Sequence, residues 1–457
     1  MKVIVCGAGR VGSTIARYLA QDDNEVVVID TDADRLADLE SSLDIQTIAG
    51  FSSYPSVLER ANAADADMLV AVTASDEVNL VTCQAANSLF KVPMKIARLR
   101  SKEYTNPKWR DLYTHDALPI DVVISPEAEI ARAIRRNISF PGAFDVLTLA
   151  GDKVYLLGMH CDETCPLINT PLRQLTELFP DINAVITGVV HEGKLIVADS
   201  DTRINAGDDV YIFVAAENVK RILSLFGRDQ QRAKSALILG GNDVGLSLAK
   251  YLERSGRMRV TLIEPDEERA KLLAETLSQT TVIQGDFLDT VVLEEADIDI
   301  VETVIAVSGN DENNILASLT AKKYGAEQTV AVIEKTLYSQ MVTDLGIDVV
   351  IDPKDIMVSS ILQHIRRGKI YAAYSVRSGL CEVLEADVFD SFEYLGAALR
   401  DVRLPAGVII GALVRNGVSL PLRGDTVIEK NDRLLLFADA DSVKQVEKMF
   451  TVGLEFF

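Results

Sequence analysis

Along the first 125 residues, short runs of Val and Ile alternate with longer stretches whose apolar positions recur at helical spacing. Val3-Ile4-Val5 leads into a glycine-rich turn and an amphipathic segment, after which Val26-Val27-Val28-Ile29 begins the cycle again. Brief, nearly continuous apolar strands separated by amphipathic helices are the mark of a parallel sheet covered on both faces. The pattern predicts strands near 2–6, 25–29, 45–49, 68–72, 95–99 and 121–125. That is a six-stranded, doubly wound α/β domain of Rossmann type.

The pattern then returns. KVIVCGAGRVGSTIARYLA reappears as SALILGGNDVGLSLAKYLE, with Gly7 over Gly240 and Gly12 over Gly245 at a shift of 233 residues. Asp30 falls over Glu264 at a shift of 234, and Gly50, Asp76 and Asn79 fall over Gly285, Asp311 and Asn314 at 235. An offset this constant marks an internal duplication. Each copy closes on a strand, a proline and a long helix. Ser125 and Asp352 are the expected N-caps, Pro126 and Pro353 the first helical residues, and Arg135-Arg136 and Arg366-Arg367 favour the helix dipole. Ile130, Ala131, Ile134 and Ile138 give the first of these helices an apolar stripe. A smaller β-rich repeat follows each helix, with Gly188 over Gly411 and Asp209 over Asp432 at a shift of 223. The expected domains are therefore 1–140, 141–230, 231–368 and 369–457, each doubly wound parallel-sheet domain being followed by a small β-rich α+β domain.

Composition narrows the function classes. With 48% apolar and 25% charged residues, the 457-residue chain has the make-up of a soluble globular protein. No apolar run is long enough to span a membrane, and Met1-Lys2 runs directly into a strand, so no signal peptide is expected. Cys6, Cys83, Cys161, Cys165 and Cys381 are odd in number and scattered, which fits reduced cytosolic thiols. Cys161 and Cys165 lack a second ligand pair, so no metal site is expected. A net charge of −22 argues against nucleic acid and against direct insertion into anionic lipid, while leaving open a protein partner at the membrane.

Gly7-x-Gly9-x-x-Gly12 follows a predicted strand and opens a predicted helix, the context in which this pattern binds a dinucleotide or adenine nucleotide. The first glycine makes the turn, the second admits a pyrophosphate, and the third packs helix on strand. Free amides at the helix N-terminus then face the phosphates. Asp30 closes the second strand, where a carboxylate accepts ribose hydroxyls. Arg10 in the loop and Arg98 at the end of the fifth strand are candidate phosphate ligands. Thr73 and Ala74 are expected to end the fourth strand beside the ligand, and Ala8, Val11, Phe51 and Ser52 complete the first candidate set. Asp76 reads equally as an N-cap for the next helix or as a functional residue. The second copy, Gly240-Gly241-Asn242-Asp243-Val244-Gly245, is degenerate: Asn242 replaces the middle glycine, Asp243 stands at the place of Arg10 and Val332 at that of Arg98. Gly240, Asn242, Val244, Gly245 and Glu264 are expected to bind a less charged nucleotide weakly, or none.

Nothing in the chain reads as catalytic. His115, His160, His191 and His364 lie outside the motifs, His191 and His364 being expected on solvated faces, and no nucleophile elbow, Walker lysine or HExxH is present. Ligand-binding modules duplicated without catalytic groups suit a sensor rather than an enzyme.

GAGRVG, VVVIDTD, DADMLVAVTASDEVN and KIARLRS, in this duplicated order, resemble the TrkA family of bacterial Trk potassium-uptake systems over essentially the full length. The resemblance implies two RCK-type halves, each an N-lobe and a C-lobe. It further implies NAD(H) and ATP/ADP as ligands, and a homotetrameric ring in the cytoplasm beneath a membrane-embedded potassium translocator of the Trk type. It also suggests that the helices around 126–138 and 353–366 cross to a neighbouring lobe, where the bland alternative is packing on their own. The alternatives are a nucleotide-sensing regulator of another cation transporter, such as a proton antiporter, and a soluble NAD-dependent oxidoreductase.

Overall fold

The computed structural model describes residues 1–21, 24–113, 117–179, 182–228, 233–256, 258–335, 337–338, 341–342, 345–362, 364, 370–376 and 379–450. His115, Arg366, Arg367 and the expected joints at 230 and 368 lie outside the described residues. The chain divides into two compact units, one of Met1–Ile130 with Pro353–Leu362, the other of Ala131–Asp352 with Gln363–Phe457.

The first unit holds a parallel sheet of β1 (Lys2–Cys6), β2 (Glu25–Asp30), β3 (Gln46–Ala49), β4 (Met68–Ala71), β5 (Met94–Arg98) and β6 (Val122–Ile124) in the order β3-β2-β1-β4-β5-β6. The strand order reverses between β1 and β4, the switch point where open sheets bind ligands. Helices cover both faces because the strands are apolar on both sides: Val3, Ile4 and Val5 are all fully buried. The helix Pro353–Leu362, which follows the second parallel sheet in sequence, belongs to this unit and packs on the helix Arg10–Gln21. Met357, Val358, Ile361 and Leu362 are its buried face.

The second unit holds the other three sheets. Antiparallel β7 (Ala143–Leu149), β8 (Val154–Cys161), β9 (Ala184–His191), β10 (Lys194–Val197) and β11 (Asp208–Ala215) order as β10-β9-β11-β8-β7. β12 (Ser235–Leu239), β13 (Arg259–Glu264), β14 (Thr281–Gln284), β15 (Thr303–Ala306), β16 (Gln328–Val332) and β17 (Val349–Ile351) repeat the first parallel order. The last sheet, of β18 (Ile370–Val376), β19 (Cys381–Asp387), β20 (Val408–Arg415), β21 (Val418–Leu420) and β22 (Arg433–Asp439), runs β18-β19-β22-β20-β21. The part of the helix Pro126–Ile138 from Ala131 onward lies in this unit, and the Arg135 guanidinium stacks 4.4 Å above the Tyr251 ring on the second parallel domain. The helix Pro353–Leu362 thus leaves the sheet that precedes it, and the helix Pro126–Ile138 does so from Ala131 onward. No described helix is long and apolar enough to cross a membrane.

The two antiparallel sheets share one core. Val154, Leu156, Tyr211 and Phe213 meet Val383, Leu435 and Phe437 in a single apolar cluster. A Cβ on Gly188 would lie 2.8 Å from the Phe437 ring, and one on Gly411 would lie 2.2 Å from that of Phe213. Each glycine makes room for the other half's phenyl ring, which explains why this glycine recurs in both repeats.

The strand that begins Asp208-Asp209 corrects the expected register by one residue. Asp208, rather than Asp209, is the counterpart of Asp432: Oδ2 of Asp208 accepts from the Asn205 amide and Oδ2 of Asp432 from the Glu429 amide, both at 2.7 Å. The same carboxylates bind His191 Nδ1 (2.5 Å) and Arg415 Nε (2.7 Å). Asp209 binds His160 Nδ1 at 2.8 Å, where the second half pairs Arg433 with Asp387. His160 and His191 are therefore half-exposed ion-pair partners rather than freely solvated, and both carboxylate contacts raise the imidazole pKa above its usual value. A group with a raised folded pKa stabilises fully below its unfolded pKa of about 6.5 and loses that contribution as pH climbs through the folded value. The melting temperature of the intact chain should therefore fall by roughly 1–3 °C more between pH 6 and 8 than that of a His160→Asn/His191→Asn variant. Identical pH profiles for the two proteins in calorimetry would refute this.

Candidate functional site

β1 ends at Cys6, and the chain turns through Gly7-Ala8-Gly9 into the helix that starts at Arg10. Two of the three glycines are dictated by the protein itself. Gly7 sits at φ +113°, and a Cβ there would lie 3.0 Å from the Val72 carbonyl oxygen. A Cβ on Gly12 would lie 1.8 Å from the Gly7 carbonyl oxygen, so only glycine lets the helix seat on the turn. Gly9 differs. It has no left-handed backbone, and a Cβ there would meet no atom within 4 Å.

Asp30, at the end of β2, clamps the loop: its Oδ2 accepts from the Ala8 amide at 2.5 Å and its Oδ1 from Asp32 N at 2.9 Å. Each oxygen keeps acceptor capacity beyond these bonds. β4 stops at Ala71, so Thr73 and Ala74 stand in the loop beyond it rather than at the strand end. The Thr73 amide and hydroxyl both donate to Asn79 Oδ1, at 2.9 and 2.7 Å. Arg98 ends β5 as expected, yet it is buried, with one terminal nitrogen donating to the Thr73 carbonyl at 2.7 Å. Burial, with Arg100 close by, lowers its pKa to about 10. Its Nε is a buried donor without an acceptor, an unmet bond of the kind an anion satisfies. Arg10, the first residue of the helix, is exposed, and so is Phe51, in the turn that follows β3. Ser52 is not at the rim: it is 3% exposed and its hydroxyl bonds Thr82 Oγ1 at 3.0 Å inside the core. Its polar group is spent on the scaffold.

Asp76 proves to be neither cap nor rim residue. Ser75 caps the helix Asp76–Phe90, while the buried Asp76 carboxylate accepts from the Arg100 and Ser101 amides at 2.9 and 2.7 Å. Asn79 ties the ends of β4 and β5 together, donating to the Arg98 carbonyl at 2.9 Å. Asp311 and Asn314 make the same bonds in the second copy, to Lys335 N (2.8 Å) and the Val332 carbonyl (2.7 Å). The shared offset of 235 signalled a common duty, and geometry identifies it as bracing the loops around the switch point.

The second loop repeats the frame with different contents. Gly240 is at φ +111°, a Cβ on Gly245 would lie 2.1 Å from the Gly240 carbonyl oxygen, and Glu264 Oε2 accepts from Gly241 N at 2.6 Å. Asn242 caps its own helix: Oδ1 accepts from the amides of Val244 (3.0 Å) and Gly245 (3.1 Å), and Nδ2 donates to the Val307 carbonyl. Asp243 is not an isolated anion, because Arg269 bonds it at 3.2 Å and bonds the Gly241 carbonyl at 2.8 Å. Arg269 lies outside the glycine motif; its signal in the sequence is Arg35, which lies over it at the shift of 234 that aligns Asp30 with Glu264. Beside this loop opens a cleft of about 410 Å³ lined by the loop residues Gly240 and Asn242, by Glu264 at the end of β13 with Pro265, Asp266 and Arg269 after it, and by Phe287, Ser308 and Asn313.

The chain matches the TrkA-N domain family over residues 3–126 and 236–353, and the TrkA-C domain family over 161–227 and 391–451. It is 43% identical to the Trk system potassium uptake protein TrkA of Azorhizobium caulinodans and 38% identical to that of Halomonas elongata, each alignment covering 100% of both chains. A homolog from Archaeoglobus fulgidus is 33% identical over 98% of this chain and 100% of its own. Among solved structures, the RCK domain of GsuK superposes with a TM-score of 0.59, covering 98% of this chain and 94% of that one. The GsuK channel bound to NAD gives 0.60, with 98% and 78% covered, both at 17% identity, so the fold is that of RCK domains. With both domain families matched twice and full-length relatives at 33–43% identity, the chain belongs to the TrkA family of Trk-system potassium uptake proteins, and so among components of ion transport rather than among enzymes.

Proposed function

We propose that the chain is the nucleotide-sensing regulatory subunit of a Trk-type potassium uptake system. It binds NAD(H) and ATP/ADP at the first glycine loop and passes the bound state to a membrane-embedded potassium translocator from the cytoplasmic side, as a homotetrameric ring. Gly9 carries this reading. Fold geometry accounts for Gly7 and Gly12, whereas the empty space around Gly9 leaves room for a group from outside, at amides aligned with a helix dipole. In this reading the exposed Arg10 at the start of the helix and Arg98 at the end of β5, with its unmet Nε, supply the cations. A chain of this fold, the GsuK channel, holds NAD.

The mechanism is a population shift. Taking a two-state gate from 1:99 to 99:1 requires about 5.5 kcal/mol of differential binding. Four concerted sites need roughly 1.4 kcal/mol each, within reach of one extra charged hydrogen bond per site.

Calorimetric titration of NAD+, NADH, ATP and ADP tests the reading, and no binding by any of them would end it. Because the Asp30 carboxylate accepts from ribose hydroxyls and repels a 2′-phosphate, NAD(H) should bind more tightly than NADP(H). Equal or tighter NADP(H) binding would remove that role. Arg10→Ala should cost about ten- to a hundredfold in ATP affinity, the equivalent of a charged hydrogen bond of ~1.5–3 kcal/mol. Asp243→Ala should leave ATP affinity unchanged or slightly better. Light scattering and co-purification with a potassium translocator check the assembly, and a monomer would exclude the ring.

A further inference from the structure

The second loop contains its own stand-in for a phosphate. Nucleotide phosphates bind glycine loops by accepting from the first free amides of the helix. Here the Asn242 carboxamide already accepts from Val244 N and Gly245 N, and it is anchored from behind by its bond to the Val307 carbonyl. The position is Gly9 in the first loop, where no side chain exists to do this. A phosphate arriving at the second loop would have to break three hydrogen bonds and lie beside the carboxylates of Asp243 and Asp266. Arg269 offers little compensation, being engaged on the Gly241 carbonyl and on Asp243.

The rest of the second cleft stays open. Its 410 Å³ lies in the range of small-ligand pockets. Phe287 and Pro265 supply apolar wall, Ser308, Asn313 and Glu264 supply polar groups, and Asn242, Asp266 and Arg269 line the side nearest the loop with their side chains already hydrogen-bonded to protein. Phe287 stands where the first copy has Ser52, at the shift of 235. Glu264 occupies the place of Asp30, and each of its oxygens accepts one backbone amide, Gly241 N and Asp266 N, leaving lone pairs toward the cleft. Acceptors for a diol, an apolar wall for a base and a blocked anion seat match one ligand chemistry.

Resting on the reading that the first loop takes nucleotide phosphates, we infer that the second cleft is a site for an uncharged nucleoside, from which Asn242 excludes phosphorylated forms. The two halves then report different things: the first the nucleotide pool, the second its dephosphorylated product class.

Hydrogen exchange of the full-length chain, read by mass spectrometry, separates the two loops in one experiment. Adenosine should slow exchange in peptides spanning 236–250, and ADP at the same concentration should not. Asn242→Gly removes the carboxamide at small cost to the helix cap and should let ADP protect that segment, with an apparent affinity at least tenfold better than in the unmodified chain. Asn242→Asp keeps the cap, adds charge and should still refuse ADP. The inference is overturned by equal protection from ADP and adenosine in the unmodified chain, by no protection from adenosine, or by an Asn242→Gly chain that still excludes ADP. Peptides spanning 3–17 report the first loop, so their failure to respond to ADP or NAD+ would count against the proposed function separately.

Discussion

Gly12→Ala should abolish nucleotide binding at the first loop and destabilise the first unit, where Gly9→Ala should abolish binding alone. The added methyl at residue 12 would stand 1.8 Å from the Gly7 carbonyl oxygen, a backbone atom that cannot rotate away. The helix must move off the turn, dragging its fully buried Ile15 and Ala16 out of register with the sheet. Overpacking of this kind costs about 1–3 kcal/mol when side chains can yield, and the upper end or more is expected when only backbone can. The amides aimed at the phosphates shift with the helix, so at least ~100-fold in affinity should be lost, about 2.7 kcal/mol. At residue 9 the methyl meets nothing within 4 Å of protein. The unfolding midpoint should therefore stay within the scatter of the unmodified chain while binding falls. Were Gly9→Ala to bind NADH normally, the open space beside it would have no ligand role.

Ile134→Asp should unfold much of the second unit. Ile134 is fully buried in the helix Pro126–Ile138, on the stretch that lies with the second unit. A carboxylate placed at a position without solvent exposure loses its hydration, and an uncompensated buried charge costs about 3–5 kcal/mol. That is a large share of the roughly 5–15 kcal/mol that holds a typical domain folded. The neighbouring change Arg135→Ala removes only the stacking on Tyr251, about 0.5–1 kcal/mol at a partly exposed site. Denaturant unfolding of both variants separates the two cases. An Ile134→Asp chain as stable as the parent would mean that Ile134 is not enclosed in the folded protein.

The duplicated parallel sheets were legible because their period is local. Val3-Ile4-Val5 and Ala236-Leu237-Ile238 announce buried strands from their own residues, and the glycine turns announce their φ angles. The glycine spacing likewise placed Gly7, Gly12, Gly240 and Gly245, because those residues answer a steric demand a few positions away. The roles of Ser52 and Asp76 are hidden in the sequence because their partners, Thr82 and the Arg100 and Ser101 amides, lie 24 to 30 residues distant. An exposed polar residue and a buried, satisfied one look identical until the chain is folded.

The halves' difference divides the same way. From the sequence alone it follows that Asn242 and Asp243 replace Gly9 and Arg10, and that the second loop has lost two cations. Only the fold decided that Asn242 turns its carboxamide back onto the helix amides, that Arg269 answers Asp243, and that the cleft beside them stays open. Backbone turns and apolar periodicity are properties of neighbouring residues, so sequence determines them. The pairing of a side chain depends on which distant donors and acceptors come within 3 Å, and that is settled when the strands stack in the order β3-β2-β1-β4-β5-β6 and its repeat.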